Sequence, residues 1–482
     1  MKKDWENRIF TTSGVKPADE ILGKGPALKG KMAIKFSSGF KKYSSNTTYL
    51  ILEKIARILY MLTIWTYVVR YLGPEQFGIL SYATSFIFLF SIFSDLGLEL
   101  IVVRELIKNG GRSDEILGST FLLKFLGALC AVIIIFFITE SHYLDPYLRK
   151  IILIMSLSMI FQSFDGINYY FQSCVLSKYK VFSQLVSLVA ISILSLWFIW
   201  LKKPLVYFVY IIFVEAVISG LSLVIFYTLR HQWIFRWKIN FDITKKLFND
   251  SWSIILLGFA TSLYMRFDQM MIKEMLGTAA VGYYSAAVRL SEAFYFVPMI
   301  LTSSLFPAIV NAKLKDEQIY HDRLQALFGV LFWLAFSISL LTTLIARPVV
   351  EMFYGPQYLP AADILVIHTW GGIFAFWGVA VCRWAISENL QIYIMYYGWV
   401  GVLSSIVLNR VLIDWYGIRG AAVATILSYC VTVVLANFLS PKTRKVILLQ
   451  FRCFNIVRLI KGIMTIISHH SLPFGKTGQI NE

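Results

Sequence analysis

Charge is scarce in this sequence. Only 15% of its 482 residues are Asp, Glu, Lys or Arg, against about a quarter in an ordinary soluble domain. Such a chain cannot clothe a water-facing surface, which excludes a soluble globular protein. Cysteine and histidine are few as well, at five and six. Cys130, Cys174, Cys382, Cys430 and Cys453 form no CxxC pair and have no histidine at metal-ligand spacing, so they read as small apolar residues rather than zinc or redox centres. No GxxxxGK[ST] phosphate loop is present, so no nucleotide hydrolysis of that type is written in the chain. Long polar stretches between apolar ones are also missing. The longest, 229–247, is too short to house a soluble catalytic domain.

What is present is apolar and periodic in length. Hydrophobic residues make up 57% of the chain, and a helix needs roughly 20 of them to cross about 30 Å of hydrocarbon. Twelve such stretches follow one another at 47–69, 76–102, 116–139, 151–169, 182–200, 205–228, 248–272, 281–308, 325–345, 362–385, 392–409 and 419–440. The expected fold is an all-α polytopic membrane protein of about 12 transmembrane helices. It divides into a polar basic leader (1–46), a first six-helix bundle (47–228), a basic linker (229–247), a second six-helix bundle (248–440) and a basic tail (441–482). The first apolar run is a full span with no small-residue cleavage site, so no cleaved signal peptide is expected. Met32 opens a shorter leader and is a second candidate start.

The net charge of +17 is expected on such a chain from the positive-inside bias, with no nucleic acid invoked. With both termini inside, 30 Lys and Arg fall in cytoplasmic segments and 9 in external ones. The linker contributes Arg230, Arg236, Lys238, Lys245 and Lys246 to the inner side. In the tail, FRCFNIVRLIKGIMTII spaces Arg452, Arg458 and Lys461 among apolar residues, a pattern suited to lying on the inner leaflet.

The sequence also repeats. A shift of 204 residues lays YLGPEQFGILSYA at 71–83 over MLGTAAVGYYSAA at 275–287 and pairs Gly73 with Gly277, Gly78 with Gly282 and Ser81 with Ser285. Upstream, Ile51, Leu52, Ala56, Leu59, Tyr60 and Met61 recur as Ile255, Leu256, Ala260, Leu263, Tyr264 and Met265. Six spans separate the copies, so the halves share one orientation and are related by an axis along the membrane normal, a plan in which the substrate path runs between them. Gly73 and Gly277 suit tight turns, and Gly78 and Gly282 suit close helix contact.

Several segments carry a resemblance: VVRYLGPEQFGILSYA at 68–83, SDLGLELIVVRE at 94–105, YYFQSCVLSKYK at 169–180 and RFDQMMIKEMLGTAAVGYYSAAVRL at 266–290. LFPAIVNAK at 305–313, MFYGPQYLPAADIL at 352–365 and WYGIRGAAVATILSY at 415–429 complete it. In this order and spacing the chain resembles the Wzx-type O-antigen and polysaccharide flippases of the multidrug/oligosaccharidyl-lipid/polysaccharide exporter superfamily. Ser173 departs from the pattern, where the family often has Gly after Phe-Gln. The resemblance implies two six-helix bundles around a central cavity and a flippase, not an enzyme. Such a flippase moves undecaprenyl-diphosphate-linked oligosaccharide from the cytoplasmic to the outer leaflet of a bacterial inner membrane, with a polysaccharide polymerase and a chain-length regulator as partners.

A cation inside a span costs about 2.5–3.5 kcal/mol on insertion scales and so faces a bundle interior or a wet cavity. The six are Lys54, Arg57, Lys124, Arg266, Arg289 and Arg383. All are candidate contacts for an anionic lipid diphosphate, for which an arginine at 4 Å is worth on the order of 4 kcal/mol in an intermediate dielectric. Arg266 leads them, being deep in its span and pointing away from Asp268. Glu53 with Arg57, and Arg289 with Glu292, have the spacing of ordinary pairs on one helix. Lys54 and Lys124 are placed to snorkel toward an interface, and Arg70 and Arg104 to anchor span ends. Tyr169, Tyr170, Phe171, Tyr283 and Tyr284 are expected in interfacial belts. No cofactor is expected. Membrane potential alone favours outward movement of negative charge, and coupling to H⁺ or Na⁺ would fall to Asp268, Asp165 or Glu215. A multidrug or small-solute exporter of the same superfamily fits the architecture equally well. A membrane glycosyltransferase or polymerase would need catalytic acids on a substantial loop, which the chain lacks.

Overall fold

The structure is a computed structural model, and it describes residues 38–141, 145–230, 233–313 and 316–453. The candidate start at Met32 and the tail beyond 453, with Arg458 and Lys461, lie outside the described residues. Among the described residues there is no strand. The helices are α1 (Ser38–Leu62), α2 (Ile64–Asp95), α3 (Glu99–Lys108), α4 (Ser113–Ser141), α5 (Pro146–Ser156), α6 (Ser158–Phe161), α7 (Asp165–Ser173), α8 (Lys178–Trp200) and α9 (Leu205–Thr228). They continue as α10 (Phe241–Leu276), α11 (Thr278–Glu292), α12 (Phe296–Lys313), α13 (Glu317–Tyr354), α14 (Pro360–Thr369), α15 (Gly372–Ser387), α16 (Gln391–Tyr416), α17 (Ile418–Val433) and α18 (Arg444–Arg452).

Ten helical stretches are long and apolar enough to cross a bilayer. One of them, Thr48–Lys108, runs 61 residues and folds back at Gly73, whose φ of 71° and ψ of 171° break the helix ahead of Pro74. It therefore crosses twice. α10 carries Asp250, Arg266 and Asp268 and so fails a test of apolarity, yet its 36 residues span about 54 Å at 1.5 Å per residue. With that fold and α10 counted, the described residues make twelve crossings. Its polar groups have partners inside the bundle: Asp268 and Gln269 are buried, and Asp250 pairs with Arg104.

The repeat is visible as contact. A Cβ on Gly78 would stand 1.8 Å from the Thr278 carbonyl oxygen, and one on Gly282 would stand 1.9 Å from that of Pro74. Pro74 and Thr278 are themselves equivalent under the 204-residue shift, so α2 and α11 dock reciprocally about a local two-fold axis. Gly277, like Gly73, takes a positive φ, here 89°, where a side chain would be strained.

Three buried clusters show how the halves are joined. At the end of the bundle carrying these glycines, one continuous core runs from Val68, Phe77 and Ile152 of the first half to Val281, Tyr284 and Tyr358 of the second. At the opposite end, where the 229–247 linker lies, the cores are separate. One gathers Leu98, Leu117, Phe171 and Tyr227 of the first half with Leu247 at the start of α10, and the other gathers Phe328, Trp377, Trp384 and Ile447 of the second. The glycine end is thus closed by shared packing, and the linker end is divided.

Some expectations change here. Tyr169, Phe171 and Tyr284 are core residues rather than an interfacial belt, with 3%, 0% and 0% of their surface exposed. α18, at the start of the tail, buries Val446, Ile447 and Leu449 against α13. The stretch read as suited to the inner leaflet begins at 451 and lies almost wholly outside the described residues. The linker is docked: the Lys238 amide donates to the Asp114 carbonyl at 3.2 Å, and the Asn240 side chain donates to Glu115 at 2.8 Å.

Candidate functional site

Below the closed glycine end, a polar cavity of about 350 Å³ opens between the two repeat copies. α2 lines it with Ser81, Thr84, Ser85 and Phe88, α10 with Arg266 and Gln269, and α11 with Ser285, Arg289 and Glu292. Serines and threonine are tolerated there because the helices meet across small residues, and the charged groups all come from the second copy.

Gln269 organises the wall. Ser85 donates to its Oε1 at 2.7 Å and Ser285 at 3.0 Å, so one amide joins the two copies. The Ser81 hydroxyl, related by the repeat to that of Ser285, is buried without a hydrogen-bond partner. Arg266 Nη2 lies 3.5 Å from Glu292 Oε2, and its guanidinium sits 5.6 Å from the Phe88 ring centre. Arg289 sits over Trp65 and Phe77 at 5.0 and 5.4 Å, a cation held on aromatic faces. It has no carboxylate within 4 Å among the described residues. The spacing on α11 suggested an Arg289–Glu292 pair, but Glu292 turns instead across to α10.

The nine residues singled out from sequence fall in several places. Arg266 and Arg289 share the cavity. Asp268, two residues from Arg266, faces the other way, accepting from the Tyr284 hydroxyl at 2.5 Å and the Gln269 amide at 2.7 Å. Tyr284 in turn is 3.0 Å from Thr425 Oγ1 on α17. Arg57 pairs with Glu53 at 3.1 Å, the expected intrahelical pair, and with Glu215 on α9 at 3.6 Å. Lys54 is exposed and lies 3.8 Å from Glu53. Asp165 is half-buried at the start of α7, and Arg383 is exposed on α15.

Lys124 does not snorkel. Its side chain is 0% exposed and its ammonium is 3.0 Å from Asp95 Oδ1 and 3.2 Å from the Tyr169 hydroxyl. A mid-helix lysine with a partner inside the bundle has no reason to reach for the interface. Arg104 is more than an end anchor, since it bonds Asp250 of α10 at 2.7 Å, beside Lys246 on Glu105 at 2.8 Å. Sequence reasoning missed Gln269, Ser85 and Ser81 as cavity residues, and it missed the partnership of Glu292 with Arg266. Recurrence of Ser81 as Ser285 was the one signal available.

An apolar bundle with an internal repeat and a charged cavity on the repeat axis defines a polytopic membrane transporter. Residues 44–313 match the polysaccharide biosynthesis protein family, and the chain belongs to that family. It is 22% identical over 324 residues, 67% of its own length and 78% of the relative's, to the "Putative O-antigen transporter" of Escherichia coli K12. Among solved structures it is similar to the lipid II flippase MurJ in an inward closed conformation, with a TM-score of 0.62 and 17% identity over 87% of this chain and 98% of that one. It is also similar to an inward-facing multidrug resistance MATE transporter of the MOP superfamily, with a TM-score of 0.58 and 13% identity over 86% and 96%. The fold is that of the MOP superfamily, with twelve crossings in two related halves.

Proposed function

We propose that the protein is a flippase for a lipid-linked oligosaccharide, carrying an undecaprenyl-diphosphate-linked repeat unit from the cytoplasmic to the outer leaflet of a bacterial inner membrane by alternating access. The observation that carries this reading is the cavity itself: two arginines and one glutamate leave it a net positive charge between the two repeat copies, where an anionic headgroup must pass. Arginine's planar fork suits phosphate oxygens, and the polar serines and Gln269 suit a hydrated ligand. The lipid tail would remain in the bilayer beside the bundle.

The excess of Lys and Arg in the linker supports a cytoplasmic linker end and an outward glycine end. Closed packing at the glycine end and divided cores at the linker end then describe an inward-facing state. Arg266 and Arg289 hold the diphosphate, while Arg57, Lys54, Lys124 and Arg383 take second place, being paired or outside this cavity. Where an ion is coupled, Asp268 is the best placed acid, because it lies directly behind the cavity wall and shares Tyr284 with α17; Asp165 and Glu215 lie in the first half.

The second reading, an ion-coupled multidrug or small-solute exporter, draws on the likeness to the MATE transporter. Expression in cells lacking their own O-antigen flippase, with a matching sugar-synthesis cluster, separates the two. Return of polymerised sugar on lipopolysaccharide, with loss in a normally inserted Arg266→Ala variant, is the expected result. Failure of the inserted parent across several sugar clusters, together with raised drug resistance, would favour the exporter.

A further inference from the structure

The cavity holds its own anion. Arg266 does not wait free for a ligand: Glu292 stands 3.5 Å from it in a site where both side chains keep only 26% and 21% of their surface exposed. Arg289, three residues before Glu292 on the same helix, is left on aromatic faces with its charge unmatched. The two arginines are thus inequivalent: one cation is available and the other is held by a carboxylate.

We propose that Glu292 is a displaceable counter-ion, an internal competitor for the anionic headgroup that sets how tightly the cavity holds it. This rests on the flippase reading above and deepens it. An entering phosphate engages Arg289 and takes Arg266 from Glu292; when the cavity faces the other side, Glu292 retakes Arg266 and helps to expel the anion. Two positive groups without a competitor would bind a diphosphate too tightly to release it, since an interaction made equally at every stage gives affinity without turnover. The buried Ser81 hydroxyl, without a hydrogen-bond partner, supplies a further donor that a phosphate oxygen would satisfy.

Two other titratable groups near Glu292 have partners of their own. Asp268 is occupied by Tyr284 and the Gln269 amide, and the His368 ring is 3.0 Å from Ser291. Neither competes for Arg266 in the structure.

The test is binding of inorganic pyrophosphate to the purified full-length protein in detergent, by calorimetry at fixed salt, for the parent, Glu292→Gln and Arg266→Gln, alongside the flipping assay. Removing the competitor should tighten pyrophosphate binding in Glu292→Gln by about tenfold while flipping falls, and Arg266→Gln should weaken binding. Equal or weaker binding by Glu292→Gln, with the parent binding normally, overturns the counter-ion role and leaves the flippase reading intact. No binding by the parent or by either variant overturns the anion-site reading itself. Should Glu292→Gln fail to fold, Glu292→Asp draws the carboxylate back by one methylene, and a smaller tightening with slower flipping is expected; unchanged affinity there would overturn the proposal.

Discussion

Alanine at Gly78 tests the closed end directly. Its methyl group would stand 1.8 Å from the Thr278 oxygen, a backbone atom that cannot rotate aside, so α2 and α11 must part by about 1.7 Å to restore ordinary contact near 3.5 Å. Overpacking of this kind costs roughly 1–3 kcal/mol. A cost confined to the state with the glycine end closed shifts the balance toward the opposite state by about 5–150-fold. Gly282→Ala should act to the same extent through Pro74, at 1.9 Å. The double variant should cost less than the sum, because a single parting of the same helix pair relieves both clashes. Gly110→Ala and Gly111→Ala, with nothing within 4 Å, serve as controls. In a cysteine-free background, Thr84→Cys in the cavity wall reports the opening by its rate of reaction with an impermeant maleimide added outside spheroplasts. Parent-like labelling and an unchanged melting temperature in both glycine variants would refute the reasoning.

Two more consequences follow from charge. Asp95→Asn should cost about 3 kcal/mol or more, since it removes the carboxylate bonded to the fully buried Lys124 ammonium, whereas Lys124→Met should cost about 1 kcal/mol or less, since the Asp95 side chain is 50% exposed and keeps its water; thermal unfolding in detergent ranks them, and the reverse order would contradict the burial argument. At the linker end, burial raises the pKa of Glu388, but hydrogen bonds from Lys313 and Tyr320 and the Lys313 charge outweigh it and hold the carboxyl below its usual 4.5. A lowered folded pKa means this contribution is full at neutral pH and is lost as pH falls through the folded value, so Glu388→Gln should flatten the acid limb of the melting profile.

Much of the architecture was legible because it is written in local pattern. Apolar length located the crossings, including α10 despite its charges, and an offset comparison found the repeat whose glycines meet in the structure. What stayed hidden depends on partners remote in sequence. Lys124 read as an interfacial lysine because Asp95 lies on a different helix, 29 residues away. Glu292 offered the local i, i+3 spacing to Arg289, yet the helix faces send it to Arg266 on α10. Aromatic residues near span ends suited an interface equally with a core, and only packing placed Tyr169 and Tyr284 inside.

The repeat also explains how one duplicated helix pair performs two tasks. Positions kept alike in both copies, Gly73 and Gly277, Gly78 and Gly282, make the closed end, where symmetry is useful because each copy supplies the other's groove. Positions that diverged make the cavity. Under the 204-residue shift Arg266 corresponds to Leu62, Gln269 to Trp65, Arg289 to Ser85 and Glu292 to Phe88. Their contacts are mirrored too: Ser85 bonds Gln269, and its symmetry-related contact is Arg289 over Trp65. Arg266 touches both Glu292 and Phe88, residues equivalent to each other. One wall therefore carries all the charge and the other presents rings and hydroxyls, so an anionic group held from the second half faces an uncharged, weakly gripping first half. On the flippase reading proposed above, this asymmetry keeps both arginines and Glu292 in one half, so the cavity's charged groups move together with α10 and α11 when the halves rock apart, with no ion pair among the described residues bridging the cavity itself.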